Sequence, residues 1–150
     1  MFGKSVLEKF HTETDHEVVA VYCMPDKVSE PIDPVKEYAQ SVRLPVFQPS
    51  NFKDQKVLDQ IKSHGADLCF MAYVVIFVPE EVRDIPTHGS ICFHPSLLPL
   101  HRGPSSINWP IIRGSTKTGL SIFYPNNGLD KGEILLQKEV DIGPDDTLGD

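Results

Sequence analysis

Two short stretches of this 150-residue chain carry side chains suited to moving protons. The first is Gly89-Ser90-Ile91-Cys92-Phe93-His94-Pro95-Ser96-Leu97-Leu98-Pro99-Leu100-His101-Arg102-Gly103. Here an apolar, β-prone run ends at a histidine and turns at once into a proline-punctuated loop. Imidazole titrates near neutrality, so His94 suits general acid–base work. Pro95 keeps the preceding residue extended, which fixes the direction in which the ring leaves the strand. The second stretch, Pro125-Asn126-Asn127-Gly128-Leu129-Asp130-Lys131-Gly132, is a Gly-flanked turn between two strand-like runs. A carboxylate from it, placed near an imidazole, would favour the charged ring, orient it and share a water with it. From spacing alone each residue also has a plainer reading. His94 can be a hydrogen-bonded structural residue, and Asp130 a solvated member of a hairpin connection.

Other chemistries find less support. His88, His94 and His101 lack the HExxH spacing, and strand alternation would scatter them, so no metal site is expected. There is no GxGxxG or P-loop motif for a nucleotide. Ser96 lacks the G-x-S-x-G elbow of a hydrolase serine. His101 and Arg102 read as solvated loop residues able to meet an anionic group.

The elements that must position these residues alternate between helix and strand. Residues 2–10 place Val6, Leu7 and Phe10 at helical spacing. The β-branched run 16–24 reads as a buried strand. Asp33 is suited to cap a helix that has Pro34 at its first position and runs to about Val42. A short strand is expected over 44–47, a helix over 51–64 stopped by Gly65, and a central strand over 66–76. A short helix near 79–82, the strand 89–93, a helix over 105–113 disturbed by Pro110, and strands over 119–124 and 133–140 complete the order. This alternation predicts an α/β fold with a mainly parallel sheet, the last two strands able to run antiparallel. The chain begins in a helix where a doubly wound fold opens with a strand. Pro144-Asp145-Asp146-Thr147-Leu148 resembles a helix start just before the end. A single domain over 1–150, lacking its first strand and its last helix, is therefore expected.

Composition narrows the setting. With 40% hydrophobic and 23% charged residues, the chain is ordinary globular protein. A formal charge of -7 argues against a nucleic-acid-binding surface within these residues. No apolar run approaches a membrane span and no secretory signal is visible. Cys23, Cys69 and Cys92 read as reduced thiols in a cytoplasmic protein.

One resemblance covers nearly all of the sequence. His94-Pro95-Ser96-Leu97-Leu98-Pro99, His101-Arg102-Gly103, Ser106-Ile107-Asn108-Trp109 and Gly128-Leu129-Asp130-x-Gly132, in this order, resemble the folate-dependent formyltransferase family. Within it the chain is most similar to the N-terminal hydrolase module of 10-formyltetrahydrofolate dehydrogenase. The resemblance implies a Rossmann-like sheet and 10-formyltetrahydrofolate as formyl donor, a small-molecule partner. It implies catalytic roles for His94 and Asp130, and folate contacts from Ile76, Phe77, Val78, Ser96, Leu97 and Leu98. NADP is implied only where a longer parent carries a dehydrogenase domain. Family transferases carry Asn at the position of Cys92, where its amide polarises the formyl oxygen. A thiol is a poor substitute, and the hydrolase module also lacks that Asn. Val75-Ile76 likewise stands where a Gln-like residue often lines the folate segment. Hydrolysis to tetrahydrofolate and formate is thus the expected reaction. Transfer to an amine such as methionyl-tRNA, or folate binding without turnover, are the alternatives.

Overall fold

The computed structural model describes residues 2–72, 74 and 76–149. Their elements are α1 (Phe2–Glu13), β1 (Val21–Tyr22), α2 (Pro34–Ser41), β2 (Val46–Phe47), α3 (Gln55–Ser63), β3 (Cys69–Met71), α4 (Glu80–Arg83), β4 (Ser90–His94), α5 (Asn108–Ile112), β5 (Lys117–Pro125) and β6 (Gly132–Asp141). They form two compact units: Met1–Asp67 with Val74–His88, and Leu68–Tyr73 with Gly89–Asp150. No helix among the described residues is long and apolar enough to cross a membrane.

In the first unit, β1 and β2 pair in parallel through Val21↔Val46 and Tyr22↔Phe47. The Asp33 carboxylate caps α2 by accepting from the Val35 amide at 2.8 Å, with Pro34 at the first position. Asp54 caps α3 in the same way through the Lys56 amide. Gly65, at φ +60°, follows as the C-terminal stop. Tyr22 stacks on Phe47 with ring centroids 5.2 Å apart, and its hydroxyl meets His64 Nε2 at 2.9 Å.

The second unit is a four-stranded sheet in the order β3-β4-β5-β6. β3 and β4 run parallel, while β4–β5 and β5–β6 are antiparallel, as the hairpin-like end of the sequence suggested. A register shift between Ile122 and Phe123 marks a bulge in the last pair. Phe123, Ser96 and Ser121 are almost completely buried. β6 is exposed along its whole length.

Several elements are shorter than their sequence patterns. The run 16–24 forms a strand only at Val21–Tyr22, because β2 offers it two residues of pairing and no more. A β-branched pattern reports fitness for a sheet, not the extent of a partner. Among its described residues, the apolar run 66–76 is strand only over Cys69–Met71, the stretch that pairs with Ser90–Cys92. Within that run Tyr73 and Val75 lie outside the described residues. The helix expected over 105–113 contracts to Asn108–Ile112, since Ser105 sits at φ +59°, outside helical space. Pro110 falls in the first turn of α5, where its missing amide hydrogen costs no helical bond.

Candidate active site

His94 ends β4 and is 7% exposed. Its Nε2 lies 2.9 Å from the His101 carbonyl oxygen. A carbonyl can only accept, so Nε2 carries a proton and Nδ1 is the nitrogen left for chemistry. Nδ1 faces Asp130, with Oδ2 at 3.6 Å. The structure thus brings together the two residues picked out from separate stretches of the sequence.

Asp130 is held from both sides. Its Oδ2 accepts from the Gly103 amide at 2.6 Å, and its carbonyl accepts from Arg102 Nε at 3.1 Å. Its own backbone is in the left-handed region, at φ +45°, which Asp tolerates better than most residues. The surrounding turn is closed by Asn126 donating to the Lys131 carbonyl and by the Asn126 side chain accepting from the Gly128 amide. Gly132, at φ +135°, completes it: a Cβ there would collide with the Tyr124 carbonyl. His101 and Arg102, read from the sequence as solvated, therefore anchor both members of the pair through a carbonyl and a guanidinium. No spacing rule signals such contacts.

Cys92 precedes His94 by two residues, so alternation along β4 places it on the same face. Burial pushes its thiol up to about 12, and the charges of Asp130 and Cys69 add to the effect. The group is therefore an undissociated thiol near neutral pH. Its Sγ lies 3.6 Å from the Phe93 carbonyl.

The loop after His94 is fixed by Ser96, which the resemblance marks as a folate contact, and by Ser121, which the sequence did not mark. Ser96, fully buried, donates through its hydroxyl to the Leu100 carbonyl at 2.7 Å. Ser121 donates to the Ser96 carbonyl at 2.7 Å and accepts from the Leu98 amide at 3.0 Å. Leu97 lies over Gly119, where a Cβ would come 2.6 Å from its Cδ2. Leu98 is buried as well. Ile76, Phe77 and Val78 belong to the first unit, where Phe77 is exposed. Among the described residues, no cluster of three or more His, Cys, Asp or Glu side chains could hold a metal.

The profile of the formyl transferase family matches residues 1–150. The chain belongs to this family. As a formyltransferase-family domain, it is 43% identical to the human cytosolic 10-formyltetrahydrofolate dehydrogenase over 99% of its length, but spans only 17% of that protein. It is 40% identical to the methionyl-tRNA formyltransferase of Alkaliphilus oremlandii over 92% of its length, 46% of that protein. Among solved structures, the phosphoribosylglycinamide formyltransferase of Streptococcus pneumoniae superposes with a TM-score of 0.81 at 19% identity. That match covers 99% of this chain and 82% of the other. A formyltetrahydrofolate deformylase from Pseudomonas syringae gives a TM-score of 0.76 at 21% identity, covering 96% of this chain and 48% of the other. These likenesses establish the α/β formyltransferase fold.

Proposed function

We propose that this domain hydrolyses 10-formyltetrahydrofolate to tetrahydrofolate and formate. The observation that carries the reading is the facing pair of His94 Nδ1 and Asp130 Oδ2, with the other ring nitrogen already tied to the His101 carbonyl. One Asp130 oxygen is occupied by the Gly103 amide, while no hydrogen bond to Oδ1 is present among the described residues. Oδ1 is the base that takes a proton as water attacks the formyl carbon, and it passes that proton to the free Nδ1 of His94. The carbonyl becomes an oxyanion, stabilised by the Nδ1–H of a protonated His94. Collapse breaks the bond between the formyl carbon and the folate nitrogen, and that nitrogen leaves with the Nδ1 proton. Ser96, Leu97 and Leu98 shape one wall of the site, and the family resemblance carries pterin contacts to Ile76, Phe77 and Val78.

The cytosolic dehydrogenase and the deformylase, whose names describe formyltetrahydrofolate chemistry, support this reading. The same likeness supports a cytoplasmic setting for the activity. NADP enters this reading only where a longer parent carries a dehydrogenase domain; the match itself spans 17% of the dehydrogenase. The methionyl-tRNA formyltransferase relative favours a second reading, in which an amine replaces water at the same tetrahedral step.

The test is incubation of the purified chain with 10-formyltetrahydrofolate. Formate release without an amine supports hydrolysis, and release only with an acceptor supports transfer. Saturable folate binding with neither outcome would leave a binding module. His94→Ala and Asp130→Ala are expected to lower kcat by about 10²–10⁴-fold with the fold intact by circular dichroism. Substantial residual activity in either variant would sink the mechanism.

A further inference from the structure

His94, Ser121 and Gln137 form one row across three strands, paired directly as His94↔Ser121 and Ser121↔Gln137. Residues directly opposite in an antiparallel ladder project to the same face, so Gln137 stands two strands away from His94 but on its side of the sheet. The Gln137 amide nitrogen donates twice, to the Leu98 carbonyl at 2.8 Å and to Ser121 Oγ at 2.8 Å. Both of its hydrogens are thereby used. Ser121 is 0% exposed and equally saturated: its one hydrogen goes to the Ser96 carbonyl, and its two lone pairs take the Leu98 amide and Gln137. The Ser96 hydroxyl then carries the network on to the Leu100 carbonyl. The next residue, His101, supplies the carbonyl that fixes the His94 ring.

We propose that Gln137 is a positioning residue for His94, acting through Ser121 and the Leu97–Leu100 turn to set which ring nitrogen faces Asp130. This deepens the hydrolytic reading of the same site and rests on it for its kinetic consequences. Two features distinguish Gln137 from a residue that merely holds the fold. β6 is exposed along its length, so its side chains contribute little burial. The network also ends on the Leu100 carbonyl, one residue before the carbonyl that specifies the tautomer. Without the clamp, the Leu98 carbonyl loses one partner and Ser121 loses another, in a buried setting where unmade bonds are costly. The turn then shifts, the His101 carbonyl moves off Nε2, and the ring is free to exchange tautomers.

The experiment uses the full chain with Gln137→Met, which keeps length but has no donor, and Gln137→Glu, which sets an acceptor against the Leu98 carbonyl. Kinetics and the ring nitrogen NMR shifts of His94 are read together. For Gln137→Met, kcat is expected to fall about tenfold to a hundredfold with KM within about threefold, because misplacement of a reacting group acts on turnover. Gln137→Glu falls similarly at neutral pH and recovers in part at acid pH, as a protonated carboxyl regains one donor. In both variants, at neutral pH, the His94 signals are expected to move from the Nε2-protonated pattern toward a mixture of tautomers. Glu139→Gln, on the same strand and face, leaves activity and ring shifts unchanged. If the parent chain releases no formate, the functional reading fails, and the ring shifts alone still decide the proposal. Unchanged ring shifts in Gln137→Met would overturn it. So would loss of native near-ultraviolet circular dichroism in that variant, since Gln137 would then be holding the fold and not the turn.

Discussion

At the scale of single residues, the site is defined by which lone pairs and protons are already committed. His94 has spent Nε2 on the His101 carbonyl and Asp130 has spent Oδ2 on the Gly103 amide, leaving Nδ1 and Oδ1 as the atoms that the proposed hydrolysis uses. Cys92 shares this face but works in the opposite sense, as a thiol kept neutral by burial and by the nearby Asp130 charge. A thiol pushed from 9.0 to about 12 has a thiolate fraction about a thousandfold lower at pH 8. Iodoacetamide at that pH is therefore expected to label Cys92 far more slowly than the same cysteine in the urea-unfolded chain, and Asp130→Asn should raise its rate. Equal rates in folded and unfolded chains would contradict the assignment. The same logic gives alkaline lability with a definite sign. Tyr22 is raised from 10.0 to about 12 by burial, and Cys92 is raised also. For an acid whose folded value lies above its unfolded one, the unfolded state releases its proton first as pH rises. Stability is thus full below about pH 9 and declines between about pH 9 and 12. The urea midpoint should fall across that window, and less steeply in Tyr22→Phe and Cys92→Ala chains.

At the scale of elements, two glycines of the β5–β6 hairpin set how closely the strands and the loop after His94 approach. A Cβ on Gly119 would strike the Lys138 carbonyl on one side and Leu97 on the other. The carbonyl is ladder backbone and cannot yield, so Gly119→Ala is expected to cost about 1–3 kcal/mol and to displace the turn that follows His94. Chemical denaturation measures the first effect and kcat the second. Gly132→Ala faces the Tyr124 carbonyl at a φ of +135° and should disorganise the turn carrying Asp130. Chemical denaturation and kcat should then show a loss of stability together with a loss of turnover. How far the elements were legible follows the same divide. The strand delivering His94 and the last hairpin were readable because alternation and turn residues bound them on both sides. The runs 16–24 and 66–76 were over-read because a strand ends where its neighbour does, and the neighbour is not written in the run itself. Ser121 and Gln137 gave no signal, since their meaning lies in register: only when β4, β5 and β6 align do they form a row with His94.

At the scale of the whole molecule, family membership was legible because the motifs occur in a fixed order along the chain, and order is a stronger constraint than any single motif. The choice between water and an amine as acceptor is a property of the larger surface. The chain carries 14 basic against 21 acidic residues, for a formal charge of -7. A transfer-RNA acceptor must be held by neutralising several phosphates, and each neutralised phosphate releases counterions and steepens the dependence on salt. An acidic surface supplies few such contacts, and at about 0.1 M salt the Debye length of about 10 Å confines attraction to charges close to the bound strand. Added methionyl-tRNA is therefore expected neither to accelerate formate or formyl loss from 10-formyltetrahydrofolate nor to compete with it, at salt from about 0.05 to 0.2 M. Turnover measured with and without the RNA checks this directly. Acceleration by methionyl-tRNA that fades steeply with salt would instead assign the domain to transfer, and would require that its few lysines and arginines act as a local cluster in spite of the net charge.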